Sequence, residues 1–290
     1  MKEKKYQLLV NADDFGRHAL INRAVAEGVE RGILRSATLM PGGKAFDGAV
    51  ETALTHPELG VGIHFTLVNG YPVLPPEEIP SLVTEDGVFY DDYIHFVKRF
   101  LSGKVRMEEV RRELAAQAEK MTRTGLALTH VDSHQHMHVL PGIFSAVLDT
   151  AEAIHLDAVR IPRTPLFAGD SGSLGQLIGR SGLAVLADLA GREAKRRRFR
   201  TPDHFAGIVA GEAVSETHFR HIVETMKPGA TEVMMHPGTD NAILQRDCLW
   251  EHDFEAERDA IISTDVVRLL KMKRIEAINF TAIKKDAGIE

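Results

Sequence analysis

The sequence predicts an α/β protein in which helices connect parallel strands. Short apolar runs alternate with amphipathic helical segments along the chain, and this alternation is typical of parallel sheets. The chain has 290 residues, of which 44% are hydrophobic, so it can bury a large core. That length fits one large α/β barrel or two small domains, and we prefer a single domain over residues 1–290.

The individual elements follow from periodicity and from capping residues. Seven segments are predicted as strands, namely residues 7–12, 37–40, 60–67, 126–132, 158–162, 232–236 and 277–281. Three helices are predicted from apolar stripes. The first carries Ile21, Val25 and Val29 and ends at Gly32, and the second carries Val110, Leu114, Ala118 and Met121 and ends at Gly125. The third has Pro141 in its first turn and carries Phe144, Val147, Leu148 and Ala151. These stripes are core-forming, and we assign them no chemistry.

Two stretches interrupt the alternation. Four of the 12 prolines fall between residues 68 and 90, which predicts an ordered loop that could wall a substrate cleft. Residues 164–201 are predicted as an irregular excursion, because they begin rich in glycine and serine and end near the basic run 195–198. A solvated helix end is the simpler interpretation of that run, and contact with an anionic membrane is the weaker one.

The composition excludes some partners and favours a reducing compartment. The formal net charge is −6, so no overall basic field attracts nucleic acid. Cys248 is the single cysteine, which excludes an intrachain disulfide and predicts a buried apolar residue. The lysine-rich N-terminus lacks the features of a secretion signal, and no stretch has the length needed to cross a bilayer. We expect a soluble, cytoplasmic protein, with peripheral membrane contact and homo-oligomerisation left open.

Two adjacent carboxylates end the first predicted strand. Asp13 and Asp14 follow an apolar run, at the strand end where barrel enzymes carry their active sites. Side chains alternate along a strand, so both carboxylates enter one pocket only if the chain turns there, and Phe15 and Gly16 supply that turn. Taken alone, an Asp-Asp-x-Gly sequence is more simply an exposed acidic turn.

Single histidines mark two other strands. His64 interrupts an apolar run, where a hydrogen-bonded core histidine is the simpler interpretation. His236 ends a later apolar strand and precedes a Pro-Gly turn. A histidine in that position can act as a general acid near neutral pH, although His-Pro-Gly alone is a weak signal.

The segment 129–138 is the most unusual in the chain. In an extended backbone, Asp132, His134, His136 and His138 project to one side, because side-chain direction repeats every second residue. Crowding three imidazoles and a carboxylate is costly without a cation or a hydrogen-bond network, so a metal site is the favoured interpretation. Two histidines and one carboxylate with open positions suit Zn²⁺ or a similar divalent ion that activates water.

Four of these segments resemble, in sequence and in order, the motifs of the YdjC-like carbohydrate deacetylases. They are residues 11–16, 62–67, 130–138 and 235–238, and the similarity extends from Leu8 to about Phe280. The resemblance implies a distorted (β/α) TIM-like barrel of the glycoside hydrolase/deacetylase type that removes an N-acetyl group from a sugar. Residues 69–80 and 158–163 look most similar to the branch associated with hopanoid biosynthesis.

The resemblance also implies roles for individual residues. It implies that Asp14, His64 and His134 bind one divalent metal ion, Zn or Mg, and that Asp13 is the general base. His134 matches the family's ligand because it directly follows the Asp-Ser pair of its motif. The remaining site residues would support the ligands or contact the substrate; these are Asp132, His136, His138 and Arg160. Asp132 could orient an imidazole. For Arg160, a structural ion pair is an equally good interpretation.

These roles combine into a predicted mechanism. The metal polarises the acetamide carbonyl, and Asp13 takes the proton of the attacking water. His236 protonates the leaving amine, and the products are acetate and a free amino sugar. The oxyanion would be held by the cation, with a backbone N–H from the turn at Phe15 and Gly16 as an additional donor.

Three other functions use similar residues. A metal-dependent phosphoesterase would release phosphate, but two-metal sites need more carboxylates than these motifs supply. A glycosidase needs two carboxylates separated across the sugar, which the adjacent Asp13 and Asp14 do not obviously provide. A non-catalytic sugar- or lipid-binding barrel would leave its ligand unaltered, and it poorly explains an open metal site.

The substrate is predicted less sharply than the reaction. We expect an N-acetylated glycan or glycolipid, with an N-acetylglucosaminyl hopanoid as the first choice and a chitooligosaccharide as the second. A lipid substrate would favour an apolar rim. The proline-rich loop offers five apolar side chains for such a rim, provided that they do not pack inward. They are Tyr71, Val73, Leu74, Ile79 and Leu82.

Overall fold

The computed structural model describes residues 5–163, 174–208 and 213–284, without the side chains of 174–181. In this part of the chain, strands and helices alternate for most of the length, as the sequence predicts. The strands are β1 (Tyr6–Phe15), β2 (Ser36–Leu39), β3 (Gly60–Phe65), β4 (Leu128–Ser133), β5 (His204–Ala206), β6 (Gly229–Met235) and β7 (Glu276–Ala277). The α-helices are α1 (Ala19–Arg31), α2 (Phe46–Thr55), α3 (Tyr93–Leu101), α4 (Met107–Thr122), α5 (Ile143–Ala153), α6 (Leu174–Arg196), α7 (Glu216–Thr225), α8 (Asn241–Cys248), α9 (Phe254–Ile262) and α10 (Thr264–Lys273).

The strands form one curled parallel sheet, a half-barrel. The strand order is β4-β3-β2-β1-β6-β5, and β7 pairs with the first half of β1. All pairings between these strands are parallel. The carboxyl ends of the strands therefore lie along one edge of the sheet, where α/β proteins place their sites.

The three predicted helices are present, with one local correction. In α1 the residues Ile21, Val25 and Val29 are buried, and the helix ends at Gly32. The helix α4 buries its predicted apolar stripe in the same way. The third helix, α5, begins only at Ile143, so Pro141 precedes the first turn rather than lying in it. Cys248 is a free, buried cysteine, as expected.

Two predicted strands are wrong, and one observed strand was not predicted. Residues 158–162 form no strand; Val159 makes an isolated bridge to Val131 of β4. The strand predicted at 277–281 is reduced to the two-residue β7, followed by a short 3-10 helix at Phe280–Ala282. The short strand β5 was not predicted, because three residues carry too little periodicity to detect.

The region predicted as an irregular excursion contains the long helix α6. The prediction for 164–201 is wrong over Leu174–Arg196, and residues 164–173 lie outside the described part of the chain. Its basic end packs on α5: Arg197 pairs with Glu152 at 2.6 Å and with Asp149 at 2.9 Å. The other three residues of the run, Lys195, Arg196 and Arg198, are exposed, which agrees with a solvated helix end except at Arg197.

The proline-rich loop is ordered, and hydrogen bonds to a side chain of α4 hold it in place. Glu113 accepts hydrogen bonds from the backbone N–H groups of Val73 (2.8 Å) and Leu74 (3.0 Å). Ile79 and Leu82 are fully buried, so these two of the five proposed rim residues pack inward, while Tyr71 is 42% exposed. Among the described helices, none combines the length and the apolar character that a membrane crossing requires.

Candidate metal centre and active site

The first strand turns at its second aspartate and brings both carboxylates inside. Asp14 has a left-handed backbone with φ of +61°, and the pairing of β1 with β2 shifts register between Ala12 and Phe15. As a result Asp13 and Asp14 are both buried, instead of pointing to opposite faces. The turn thus begins at Asp14 itself, earlier than the predicted turn at Phe15 and Gly16, and the exposed acidic turn is excluded.

Two imidazoles from other strand ends meet the Asp14 carboxylate. Its Oδ1 lies 2.8 Å from His134 Nδ1 and 3.3 Å from His64 Nε2. His64 belongs to β3, and His134 directly follows β4. One ligand atom from each of the three residues lies within 4.8 Å of the other two. Three distant segments of the chain therefore converge on one point.

The geometry of this cluster fits a bound cation. Among the described residues, neither Asp14 Oδ1 nor His64 Nε2 has a hydrogen-bond partner, although both atoms are buried. Atoms that ligate a common ion at about 2.1 Å lie about 2.8–3.5 Å apart, which matches the two contact distances. Buried polar atoms without partners are rare, so their convergence indicates a ligand set for a cation.

The charges around the cluster also favour a cation. Although burial alone would lower it, the carboxylates of Asp132, Asp14 and Asp13 raise the pKa of His64 to about 10. Burial would likewise raise the pKa of Asp14, but His134 and Arg17 hold that pKa well below its usual range. The site therefore stabilises positive charge and keeps its carboxylate ionised, as a metal site requires.

Asp132 orients His64, as the sequence analysis suggested. The two residues are neighbours in the register of β3 and β4, and Asp132 Oδ1 lies 2.7 Å from His64 Nδ1. The other carboxylate oxygen of Asp132 accepts a hydrogen bond from the Thr38 hydroxyl at 3.2 Å. A carboxylate on the remote imidazole nitrogen fixes the ring so that Nε2 faces the proposed ion.

Arg160 is fully buried and fixes carboxylates beside the cluster. Its Nη1 and Nη2 donate to the two oxygens of Asp13 at 2.6 Å each, and Nη1 also contacts Asp132 at 2.6 Å. Its Nε donates to Glu232 at 2.7 Å. With no exposed surface, Arg160 supports the site and is not placed to bind substrate directly.

This arginine keeps Asp13 ionised. Burial would raise the pKa of Asp13, but the guanidinium of Arg160 more than compensates and lowers that pKa. Asn11 donates to Asp13 Oδ1 at 2.8 Å, so Oδ1 accepts two hydrogen bonds and Oδ2 only the one from Arg160. Each carboxylate oxygen has two acceptor positions, which leaves Oδ2 with the free one.

Glu232 is a buried acid in an otherwise apolar strand, and its proton affinity is unusual. Burial raises the pKa of Glu232 to about 7, against its ordinary value of 4.5, although Arg160 opposes the shift. Its Oε2 has no partner among the described residues. Between these two pKa values the folded chain binds more protons than the unfolded chain, so the free energy of unfolding falls as the pH rises.

We expect Glu232→Gln to remove this pH dependence. Glutamine resembles the protonated acid and can still accept from Arg160, but it has no proton to lose. The stability of the variant relative to the wild type should therefore rise between pH 5 and pH 8, by up to about 3 kcal/mol. Urea unfolding at both pH values measures the difference, and a difference that does not change with pH would contradict this account.

His136 and His138, which were predicted to share one side with His134, do not join the cluster. The chain leaves β4 at Ser133 and continues as a 3-10 turn, with left-handed backbone at Gln135 and His136. The predicted extended backbone is therefore wrong, and the four side chains do not share one side. His138 is buried between the Ser133 hydroxyl at 2.7 Å and the carbonyl of Arg160 at 3.0 Å, which makes it a structural histidine.

His136 is half-buried and faces a different set of rings. Its ring lies edge-on to Phe205, with centroids 6.0 Å apart, and next to His138. Its Nδ1 has no hydrogen-bond partner among the described residues. Burial and the nearby Arg160 hold the pKa of His136 well below its usual value, so the ring is neutral.

His236 lies beside Asp13 at the end of β6. The register that pairs Ala12 with Met235 makes these two residues the next neighbours along the sheet. The backbone N–H of His236 donates to Glu257, and its ring packs edge-on against Trp250 with centroids 5.0 Å apart. Burial lowers the pKa of His236, and the carboxylates of Asp13 and Asp14 oppose that effect.

A second group of possible ligands surrounds this histidine. One ligand atom each of His236, His252 and Glu257 lies within 4.8 Å of the others. However, Glu257 already accepts hydrogen bonds from the backbone N–H groups of His236 and Val214, the latter at 2.8 Å. We therefore interpret Glu257 as the support that fixes the end of β6.

An open cleft of about 630 Å³ borders the metal cluster through one residue, Arg17. Arg17 donates to Asp14 Oδ2 at 2.7 Å and also lines the cleft. The walls of the cleft come from the turn after β1, the loop after β2, the proline-rich loop and the end of α8; they include Lys44, Asn69, Tyr71, Asp247 and Leu249. The loop therefore walls a cleft, as predicted.

Sequence reasoning missed three residues of the site. Arg17 stands three positions after Asp14, a spacing that allows a contact only because the chain turns there. Glu232 could have been noticed as a single acid within an apolar strand. Glu257 lies inside a helix whose sequence carries no signal of its contact with His236.

Comparisons with known proteins agree with this geometry. The model of the family described as YdjC-like protein matches residues 7–272. The chain is 35% identical over 241 residues to a carbohydrate deacetylase of Brevibacillus brevis, covering 82% of this chain and 84% of that protein. It is 27% identical over 277 residues to a carbohydrate deacetylase of Thermoanaerobacter pseudethanolicus, covering 96% of this chain and 99% of that protein.

A solved structure resembles the whole fold. The chain superposes with a TM-score of 0.72 on a crystal structure from Enterococcus faecalis that is described as a proposed cellobiose-phosphate cleavage protein. The two share 25% identity, and the match covers 96% of this chain and 98% of the other. The half-barrel with helices around it is therefore an architecture found in a solved relative.

Proposed function

The chain belongs to the YdjC-like family and is a carbohydrate deacetylase, and we propose that it uses one divalent cation to remove the N-acetyl group of an amino sugar. The observation that carries the proposal is the convergence of Asp14, His64 and His134, in which two buried ligand atoms, Asp14 Oδ1 and His64 Nε2, make no hydrogen bond in the described part of the chain. Zn²⁺ and Mg²⁺ are the candidate ions. The set of one carboxylate and two imidazoles favours Zn²⁺, because Mg²⁺ prefers oxygen ligands.

The proposed cation supplies the electrophilic part of the chemistry. When bound, a divalent cation polarises the amide carbonyl and lowers the pKa of bound water from about 15.7 towards about 7. The protein supplies the orientation of the ligands. Asp132 fixes the His64 ring, and Arg17 holds the outer oxygen of Asp14.

Asp13 is the proposed general base, acting through one defined atom. Its Oδ2 keeps a free acceptor position, while Arg160 and Asn11 occupy the other three. Because Arg160 keeps Asp13 ionised, the carboxylate can accept the proton of the attacking water at neutral pH. The bidentate contact also prevents the carboxylate from rotating, so the free position has a fixed direction.

His236 is the proposed general acid for the leaving amine. It stands next to Asp13 in the register, and Glu257 fixes its backbone. Because burial lowers its pKa, the resting imidazole has to gain a proton during the reaction, and the carboxylates of Asp13 and Asp14 favour that charged form. This arrangement supports transfer of a proton from the water side of the site to the amine side.

Replacing His236 by alanine should slow amide substrates more than activated esters. An amine leaves only after protonation, whereas the leaving group of an activated acetyl ester needs no proton. We expect a loss of about 10²–10⁴-fold on an N-acetyl sugar and a much smaller loss on the ester. Rates of acetate release from both substrates measure the two losses. Equal losses on the amide and on the ester would assign His236 a positional role.

The substrate class proposed first is an N-acetylglucosaminyl hopanoid, and a chitooligosaccharide comes second. The exposed apolar side chains of Tyr71 and Leu249 line the cleft, and Trp250 is 38% exposed beside His236. This apolar edge differs from the one predicted, because Ile79 and Leu82 are buried. An apolar edge of this kind fits the aglycone of a glycolipid.

A panel of N-acetylated substrates tests the proposed function. The protein is incubated with a defined metal and with hopanoid glycolipids, chitooligosaccharides and, because the solved relative is named for it, a phosphorylated disaccharide. Mass analysis should find the loss of one acetyl group in the metal-loaded sample only. Release of phosphate would identify a phosphoesterase, and an unaltered panel would leave the binding-barrel alternative.

A further inference from the structure

The turn after β1 has no spare backbone N–H at Gly16 to bind an oxyanion. The N–H of Gly16 donates to the Asn22 side chain at 2.8 Å, and the N–H of Arg17 donates to the Asp14 carbonyl at 3.0 Å. An amide that already donates within the fold cannot also bind developing charge without breaking that bond. The Gly16 donor that the sequence analysis expected at this turn is therefore occupied.

The side chain of Arg17 offers donors at the same place. Three of its five N–H groups donate to Asp14, Asn69 and Cys248 in the described part of the chain, which leaves the Nε–H and one N–H of Nη1. Nη1 donates to Asp14 Oδ2 and lies 3.5 Å from His134 Nε2, so the guanidinium contacts two of the three proposed ligands. Any substrate oxygen that approaches an ion held by Asp14 and His134 from the cleft lies within a few ångströms of this guanidinium. The side chain is 15% exposed, and it faces the cleft.

The guanidinium is held in a fixed position by two further segments. Nη2 donates to Asn69 Oδ1 and to the carbonyl of Cys248, the latter at 3.2 Å. Asn69 in turn has a left-handed backbone and donates to the carbonyl of Asp91 at 2.8 Å. Contacts to the end of β1, the proline-rich loop and the end of α8 thus preorganise the donors before substrate binds.

The other basic side chains in the cleft lack this placement. Lys44 lies over the ring of Tyr71, with 4.9 Å between its Nζ and the ring centroid. His18 faces Asp247 at 3.5 Å. Among the basic residues that line the cleft in the described part of the chain, Arg17 is the one in contact with a proposed metal ligand.

We propose that Arg17 is a catalytic residue that donates hydrogen bonds to the acetamide oxygen as it becomes negatively charged, and then to the acetate product. The proposal rests on the proposed function of the same site, and it adds a second electrophile beside the cation. The positive charge of Arg17 repels a metal ion, and the Asp14 carboxylate between them offsets that repulsion. Arg17 also holds Asp14 Oδ2, and this support of a proposed ligand opposes the remaining repulsion, so we expect replacement of Arg17 to change metal affinity little.

The test compares Arg17→Gln with Lys44→Gln, which removes the same charge from the same cleft. For Arg17→Gln we expect kcat to fall by about 10²–10³-fold, as when an oxyanion donor is lost, with metal affinity little changed. The second readout uses no turnover. Titration calorimetry measures binding of a methylphosphonamidate analogue, whose tetrahedral, negatively charged oxygens resemble the reacting centre.

Arg17→Gln should weaken binding of this analogue at least as much as it lowers kcat, while Lys44→Gln, which changes the cleft wall but no contact to a proposed metal ligand, should lower both by a much smaller factor. Arg17→Lys keeps the charge but loses the forked donors, so its kcat and its affinity for the analogue should lie between those of the two glutamine variants. This variant also serves as a test if Arg17→Gln fails to fold. Loss of bound metal, unchanged binding of the analogue, or equal effects of the two glutamine variants would overturn the proposal. A wild-type protein that releases no acetate would instead refute the proposed function.

Discussion

Replacing Asp14 by alanine is expected to remove the bound metal and to abolish measurable deacetylation. Its Oδ1 is the atom on which His64 Nε2 and His134 Nδ1 converge, at 3.3 and 2.8 Å. Without that carboxylate the two imidazoles keep no negative ligand, and Arg17 adds an uncompensated positive charge beside them. Elemental analysis of dialysed protein and an acetate-release assay measure the two losses together.

The control for this variant is Asp149→Ala. Asp149 also pairs with arginines, but it is half-exposed on α5 and contacts none of the proposed ligands in the described ion pairs. We expect this control to keep one metal ion and full activity. Since removal of a buried charge can unfold a protein, thermal melting has to show that Asp14→Ala remains folded. A folded Asp14→Ala protein that retains both metal and activity would exclude Asp14 as a ligand.

Replacing Asp13 by asparagine should separate metal binding from turnover. Asp13 is not one of the three proposed ligands, and Arg160 and Asn11 occupy three of its four acceptor positions, so the metal should stay. An amide cannot take the proton of the attacking water, and loss of a general base typically costs about 10²–10⁴-fold in rate. Acetate release at saturating metal, together with the metal content, measures the effect.

Asp132→Asn is the matched comparison for Asp13→Asn. Both carboxylates contact Arg160, but Asp132 acts on His64 through a 2.7 Å contact. We expect Asp132→Asn to weaken metal binding by about 10–100-fold, with activity recovered when metal is added in excess. Activity of Asp13→Asn should not recover in this way. Recovery of both variants, or of neither, would contradict the separate roles given to the two residues.

The parallel fold and the members of the cluster could be predicted because they follow local rules. Alternating apolar strands and amphipathic helices predict parallel strands whose carboxyl ends share an edge, and Asp14, His64 and His134 each stand at such an end. The convergence itself needed the family resemblance, because spacing along the chain does not define distance across the sheet. Spacing alone would also have included His136 and His138 in the metal site.

The remaining errors come from backbone geometry and from long-range contacts. Gln135 and His136 have left-handed backbone and turn the chain away from the direction of β4. The segment contains no glycine or proline from which this turn could have been predicted. The left-handed backbone of Asp14 could not be predicted from the sequence either, although it brings the side chains of Asp13 and Asp14 into the buried site. The network around Arg160 joins residues 13, 132, 160 and 232, whose pairing only the folded sheet reveals.

The most direct test of the metal centre is anomalous diffraction from crystals grown with Zn²⁺. The account predicts one strong peak within about 2.0–2.2 Å of Asp14, His64 and His134, and its loss in Asp14→Ala. A peak that lies instead between His236, His252 and Glu257, or no bound ion in an active protein, would contradict the account.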